Sequence, residues 1–175
     1  MTVEVFFEEE NAPSSFPPPP PGLSTGAQTV DPTALWRRIE QWIAHRWQPR
    51  TVVWIVRGPG TWQPRLKPAT VDAADIWGED WQPVTLTPGP LGYELGPHVY
   101  RLTATVGEPN NPPEDVFEAA RRLAEYLADD AFLGRVATSG TRSLSDQSIS
   151  SERPATWQAR ALHNSGAADL LRRYR

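Results

Sequence analysis

The stretch from Asp31 to Val56, DPTALWRRIEQWIAHRWQPRTVVWIV, constrains the fold of this chain most. Leu35, Trp36, Ile39, Trp42, Ile43 and Trp47 recur at i, i+3/i+4 and i+7 spacing, which predicts a helix over 31–48 with one apolar face. Asp31 is placed to cap a free first-turn N–H, and Pro32 sits where its missing N–H costs nothing. Arg37, Arg38, Glu40, Gln41, His45 and Arg46 fall on the polar side. Pro49 stops the helix, and Thr51 to Val56 is an unbroken β-branched and aromatic run that reads as a strand. Tryptophans on one stripe need a large apolar partner surface, supplied by this chain, by a copy of it or by another molecule.

The chain has 175 residues, enough for one ordinary domain plus arms. Its 39% hydrophobic content is low, and 19 prolines with 12 glycines exceed average usage, so a modest core with extended ends is expected. The absence of cysteine excludes disulfides and thiolate zinc sites. No run approaches the ~18–20 apolar residues of a membrane span. The acidic start, MTVEVFFEEE, does not read as a signal peptide, so a soluble protein made in the cytoplasm is expected. A net charge of −4 argues against a surface that holds phosphates throughout. Of the 17 basic residues only Lys67 is lysine. That bias fits a GC-rich genome, and it equally suits bidentate interface contacts.

Residues 1–30 show no sustained periodicity and read as an extended, proline-rich arm. Thr2 to Phe7 is a strand only if it finds an edge, and Pro17 to Pro21 favours polyproline II. The arm is either a disordered leader or a segment lying along a neighbouring subunit, since Val3, Val5, Phe6, Phe7 and Phe16 are too apolar for a pure linker. Residues 31–138 read as the main domain: helix 31–48, a β region over 51–107 and helix 112–129. In the β region Val99–Val106 alternates cleanly, with Tyr100, Leu102, Ala104 and Val106 on one face. The strands are short, so the sheet is expected to lean on the helices rather than hold a large core of its own. Asn110 to Asp115 supplies a cap, a proline start and first-turn acid for the second helix, with Val116, Ala120, Leu123, Ala124 and Leu127 as its stripe. Residues 139–175 read as a flexible Ser-rich tether followed by a terminal docking segment. Together these give an α+β fold with two long antiparallel helices, short C-terminal helices, an inserted antiparallel β region and extended arms.

Chemistry-bearing constellations are missing. His45, His98 and His163 fall in different elements, and no pair has helical metal-site spacing. Gly58-Pro59-Gly60 lacks the rest of a phosphate loop, and there is no nucleophile elbow. No catalysis, metal or cofactor is therefore expected. Trp62, Trp77 and Trp81 are the tryptophans outside the predicted core faces, which leaves open a non-catalytic module binding sugar or peptide.

The order of parts resembles the head–tail connector (adaptor) family of long-tailed bacteriophages and gene transfer agents. The resemblance spans about residues 31–175 and rests on HRWQPR leading into TVVWIV, on YRLTATVG, on PPEDVFEAARRLAEYLAD and on the ending GAADLLRRYR. The proline-rich arm departs from the family, which has a short helix there. The resemblance implies a structural virion protein at the head–tail junction, assembled as a homo-oligomeric, dodecameric ring. Such a ring sits between the portal protein and a tail-side stopper or terminator, and packaged double-stranded DNA passes through its lumen without sequence-specific binding or membrane contact. It further implies portal docking by Trp157, Leu162, Leu170, Leu171, Arg172, Arg173, Tyr174 and Arg175. Subunit contacts would then fall to Phe6, Phe7, Phe16, Arg37, Arg38 and Arg46.

Overall fold

A computed structural model describes residues 3–136, 142–144, 147–149 and 160–175, with side chains described over 3–129 and 160–175. The chain is α+β, with helices and antiparallel sheets. It divides into two compact units: a β unit of Met1–Phe16 and Ala44–Asn111, and a helical unit of Pro17–Ile43 and Pro112–Arg175. Apart from its first sixteen residues, the β unit thus lies in sequence between the two main helices.

In chain order the elements are β1 (Glu4–Glu10), α1 (Pro32–Trp42), β2 (Arg50–Arg57), β3 (Gly60–Trp62), β4 (Ala69–Trp77), β5 (Trp81–Pro83), β6 (Thr87–Gly89), β7 (Gly92–Leu95), β8 (Val99–Val106), α2 (Glu114–Val136), β9 (Arg142–Leu144), β10 (Gln147–Ile149), α3 (Ala161–Asn164) and α4 (Ala167–Leu170). The β unit holds an antiparallel five-stranded sheet in the order β1-β2-β8-β4-β5 and a three-stranded sheet β3-β7-β6. Val52, Trp54 and Val56 alternate inward on β2, as Tyr100, Leu102, Ala104 and Val106 do on β8. With Trp62, Leu66, Ala74 and Leu95 they form one buried cluster. The expectation that the sheet lacks a core of its own is therefore corrected. Two sheets supply enough inward side chains, and Trp54 meets Trp62 edge-on at 5.5 Å.

The N-terminal segment is not an extended arm along its whole length. Glu4–Glu10 pairs antiparallel with Arg57–Val52, so the strand option is realised on the chain's own edge. A bulge between Val5 and Phe7 shifts the register. The proline run belongs to the helical unit, where Pro17 and Pro20 are buried. Ser24 donates from its backbone N–H and its hydroxyl to Glu125 at 2.8 and 2.6 Å, tying the segment to α2.

Helix α1 starts as predicted, with Asp31 accepting from the N–H groups of Thr33 and Ala34. It ends at Trp42 rather than 48, because Ile43 is extended at φ −119° and the following residues bond elsewhere. Arg46 N–H donates to the Lys67 carbonyl at 2.8 Å, and Lys67 N–H donates to Ala44 at 2.9 Å. Those two bonds replace helical bonds, so Trp47 leaves the helix stripe; it belongs to the β unit and is buried. Glu40, read as polar-face, is 5% exposed.

Helix α2 runs past the expected end at Asp129 to Val136, since no proline or left-handed glycine interrupts it. Its buried side, Val116, Ala119, Ala120, Leu123, Ala124 and Ala128, follows the predicted stripe except at Leu127, which is only half-buried. Trp36 of α1 meets Phe117 of α2 edge-on at 6.1 Å, so the tryptophan face of α1 finds its partner within this chain. The segment expected as a tether carries a strand pair, β9 with β10. The expected short C-terminal helices are present as α3 and α4, while residues 150–159 lie outside the described ones.

Candidate interaction surfaces

Four surfaces carry the residues singled out in the sequence. The first is the edge strand β1. Val5, Phe6 and Phe7 are 50%, 50% and 45% exposed, and no described strand pairs with the outer edge of β1. Arg57 stacks on the Phe6 ring at 4.7 Å. Glu4, Glu8 and Glu9 are exposed beside these rings, and Glu8 reaches Arg65 only at 3.8 Å. Phe16 is half-buried, 6.0 Å from the Arg50 guanidinium.

Arg46 is not a surface residue of the helix, as the sequence reading had it. Its side chain is 6% exposed, and it donates from Nε and Nη2 to the Glu10 carboxylate at 2.6 and 2.9 Å. Arg50, 3% exposed, adds a bond to the same carboxylate at 2.9 Å. Burial works against the Glu10 charge, but the bonds and charges of Arg46 and Arg50 outweigh it and hold the carboxyl below its ordinary value. Sequence reasoning missed this clamp because its members are separated by 36 and 40 residues. The only local signal was an acid tract opposite an arginine-bearing stretch.

The second surface is the outward side of α1. Arg37 is exposed and Arg38 half-exposed, while the one acid between Pro32 and Trp42, Glu40, is buried. This side of the helix is therefore basic.

The third surface is the C-terminal segment. Leu171 is fully buried and Leu162 is 8% exposed, so these two predicted docking anchors are core residues of the helical unit. Leu170 is half-buried. Tyr174 donates its hydroxyl to Asp115 in the first turn of α2 at 3.1 Å, and accepts from Arg173, which also pairs with Asp115 at 2.9 Å. Arg175 lies 4.3 Å over the Trp42 ring, which meets His163 edge-on at 4.9 Å. Arg172 and Arg173 are exposed. Trp157 lies outside the described residues.

The fourth is the β4–β5 hairpin. Trp77, 48% exposed, packs edge-on against Trp81 at 5.0 Å, and Arg101 stacks on Trp81 while pairing with Asp75 at 2.9 Å. Trp62 drops out as an exposed candidate, being 5% exposed in the β-unit core.

Among the described residues no group of His, Asp or Glu is arranged to hold a metal ion. His45 is half-buried beside Trp47, and burial is the main cause of its lowered pKa. A cavity of about 110 Å³ in the helical unit is lined by Pro19, Pro20, Leu23, Leu35 and Ala124 among others, and is far smaller than the roughly 300–1,000 Å³ of ligand pockets. No described helix is long and apolar enough to cross a membrane. Comparison with protein-family models, with curated proteins and with solved structures finds no match for this chain.

Proposed function

We propose that this chain is a structural, non-catalytic adaptor that forms a ring at the head–tail junction of a long-tailed phage or gene transfer agent. In this reading the ring joins the portal to a tail-side stopper or terminator, and double-stranded DNA passes through its lumen. The body of each copy is α1 and α2 with the short C-terminal helices, and the β unit is an insertion between them.

One observation carries the proposal. The two most specific pieces of the family resemblance, the proline-started helix and the Leu-Leu-x-x-Tyr-Arg ending, meet in space through Tyr174, Arg173 and Asp115. Pieces that pack on each other have reason to occur together. A net charge of −4 suits a lumen that releases DNA, because steady phosphate contacts would hinder passage.

Portal docking is assigned to the exposed side of the folded C-terminal segment. Leu162 and Leu171 hold that segment in place, while Leu170, Arg172, Arg173 and Arg175 carry the contact. Deleting the segment would therefore test folding as much as docking. The decisive experiment is negative-stain imaging of the purified protein alone and mixed with its portal. Rings with an axial lumen that stack on the portal, and that lose the portal but keep their shape in Arg172→Glu, are expected. Monomers at all concentrations would overturn the reading.

A second reading, a module presenting Trp77 to a sugar or peptide, has the exposure of that ring in its favour. Its test is quenching or shift of tryptophan emission on glycan titration, lost in Trp77→Ala.

A further inference from the structure

The outward face of the five-stranded sheet pairs aromatic rings with arginines. Alternation turns Val56, Tyr100 and Ala74 into the core, which puts Arg57, Arg101, Asp75 and Trp77 on the opposite face. Arg57 lies 4.7 Å over the Phe6 ring, and Arg101 lies 4.8 Å over that of Trp81. Trp77 is directly opposite Trp81 in the β4–β5 hairpin and meets it edge-on at 5.0 Å. Among the described residues no cation stacks on Trp77, and it is 48% exposed.

The charges around Trp77 decide what suits it. The hairpin, Ala69–Pro83, contains Asp72, Asp75, Glu79 and Asp80 and neither lysine nor arginine. Asp75 is engaged by Arg101 with bonds of 3.0 and 2.9 Å, and Asp72 accepts from the Thr105 hydroxyl at 2.7 Å. Glu79 and Asp80 form the turn between the two tryptophans and are exposed, and among the described residues their carboxylates make no bond or ion pair. An indole beside two such carboxylates attracts a cation both through the negative face of its ring and through their charge. The same acids repel phosphate, which disfavours a nucleic acid. A sugar would need free donors and acceptors beside the ring, and the nearest polar pair, Asp75 and Arg101, is already bonded to itself.

We infer that Trp77, with Glu79 and Asp80, is a docking site for an arginine side chain on a basic segment of a partner protein. The guanidinium stacks on the indole as Arg101 does on Trp81, and its N–H groups reach the turn carboxylates. Arginine suits the site better than lysine because its planar, weakly hydrated head stacks on a ring while it donates in its own plane. The inference rests on the reading of Trp77 as a contact residue and narrows its ligand from sugar or peptide to a cationic peptide. It is independent of ring formation.

The test is titration of the full chain with a capped Gly-Arg-Gly-Arg-Gly peptide, its lysine and citrulline counterparts, and a neutral glucan hexasaccharide. The readout is the indole N–H resonance of Trp77, assigned by its absence in Trp77→Phe. The arginine peptide should shift it saturably, and less so as salt rises through the range that screens surface charges. The citrulline peptide, which keeps the shape but loses the charge, should bind about tenfold more weakly. Glu79→Gln/Asp80→Asn should weaken the arginine peptide about threefold at an unchanged melting temperature, so the charge contribution is read without touching the tryptophan pair. Equal binding of the citrulline and arginine peptides would overturn the cation site and leave Trp77 a peptide contact. A shift by the hexasaccharide alone would overturn it in favour of a sugar. No shift by any of the four would remove Trp77 as a contact residue.

Discussion

Arg46 holds Glu10 with two parallel bonds of 2.6 and 2.9 Å, and this pair anchors the C-terminal end of β1 to the segment that follows α1. The fork geometry of the guanidinium matches the carboxylate, and Arg50 occupies a remaining lone pair at 2.9 Å. Removing Glu10 takes away a carboxylate that both nearly buried cations bond. Glu10→Ala should therefore destabilise the fold by roughly 2–3 kcal/mol, less than a fully buried pair because Glu10 keeps 24% of its side chain exposed. Chemical unfolding reads the loss, and faster hydrogen exchange at the β1–β2 amides should accompany it. Unchanged exchange at β1 would mean the clamp does not hold the strand.

The same carboxylate makes stability depend on pH. Its folded pKa lies below the ordinary value of 4.5, so the ionised form is favoured in the native state. The stabilisation is complete above about pH 4.5 and is lost as the pH falls through the lower, folded value. Unfolding free energy measured from pH 7 to pH 3 should drop more steeply in the wild type than in Glu10→Gln. Parallel curves would assign the acid sensitivity to other groups.

Gly107 ends β8 at φ +93°, a conformation that side chains rarely adopt, and an added Cβ would lie 2.5 Å from the Gln48 carbonyl oxygen. Its N–H also bonds the Pro68 carbonyl at 2.8 Å, so the position is held from two sides. Gly107→Ala should cost about 1–3 kcal/mol, read as a lowered melting temperature. A neutral substitution would show that the turn relaxes freely.

Leu171 is fully buried where the C-terminal turn meets the helical unit. Leu171→Ala should destabilise that unit by about 2–5 kcal/mol, whereas Arg172→Ala, at an exposed site, should stay within about 0.5 kcal/mol. Differential scanning calorimetry separates the two. Similar small effects from both would mean that the C-terminal segment detaches at little cost.

Much of the architecture was legible locally. The start of α1 at Asp31-Pro32, the start of α2 behind Pro112-Pro113, and the inward faces of β2 and β8 all follow from contiguous residues. Capping bonds span three or four positions, and alternation is visible in a single strand. Exposure of the residues singled out as contacts was not legible. Phe6, Phe7 and Arg37 are exposed while Arg46, Leu162 and Leu171 are buried, because these residue types are equally at home at a surface or in a core.

The sequence by itself therefore determined the α+β class, where α1 and α2 begin and which faces of β2 and β8 turn inward, because caps, prolines and periodicity act over one or two turns. Tertiary structure alone decided that α1 stops at Trp42, that β1 joins the sheet and that the C-terminal turn packs inward. The reason is range. The Glu10–Arg46, Ser24–Glu125 and Asp115–Tyr174 contacts join residues 36, 101 and 59 positions apart, and bonds across such distances leave no periodic trace in the chain that makes them.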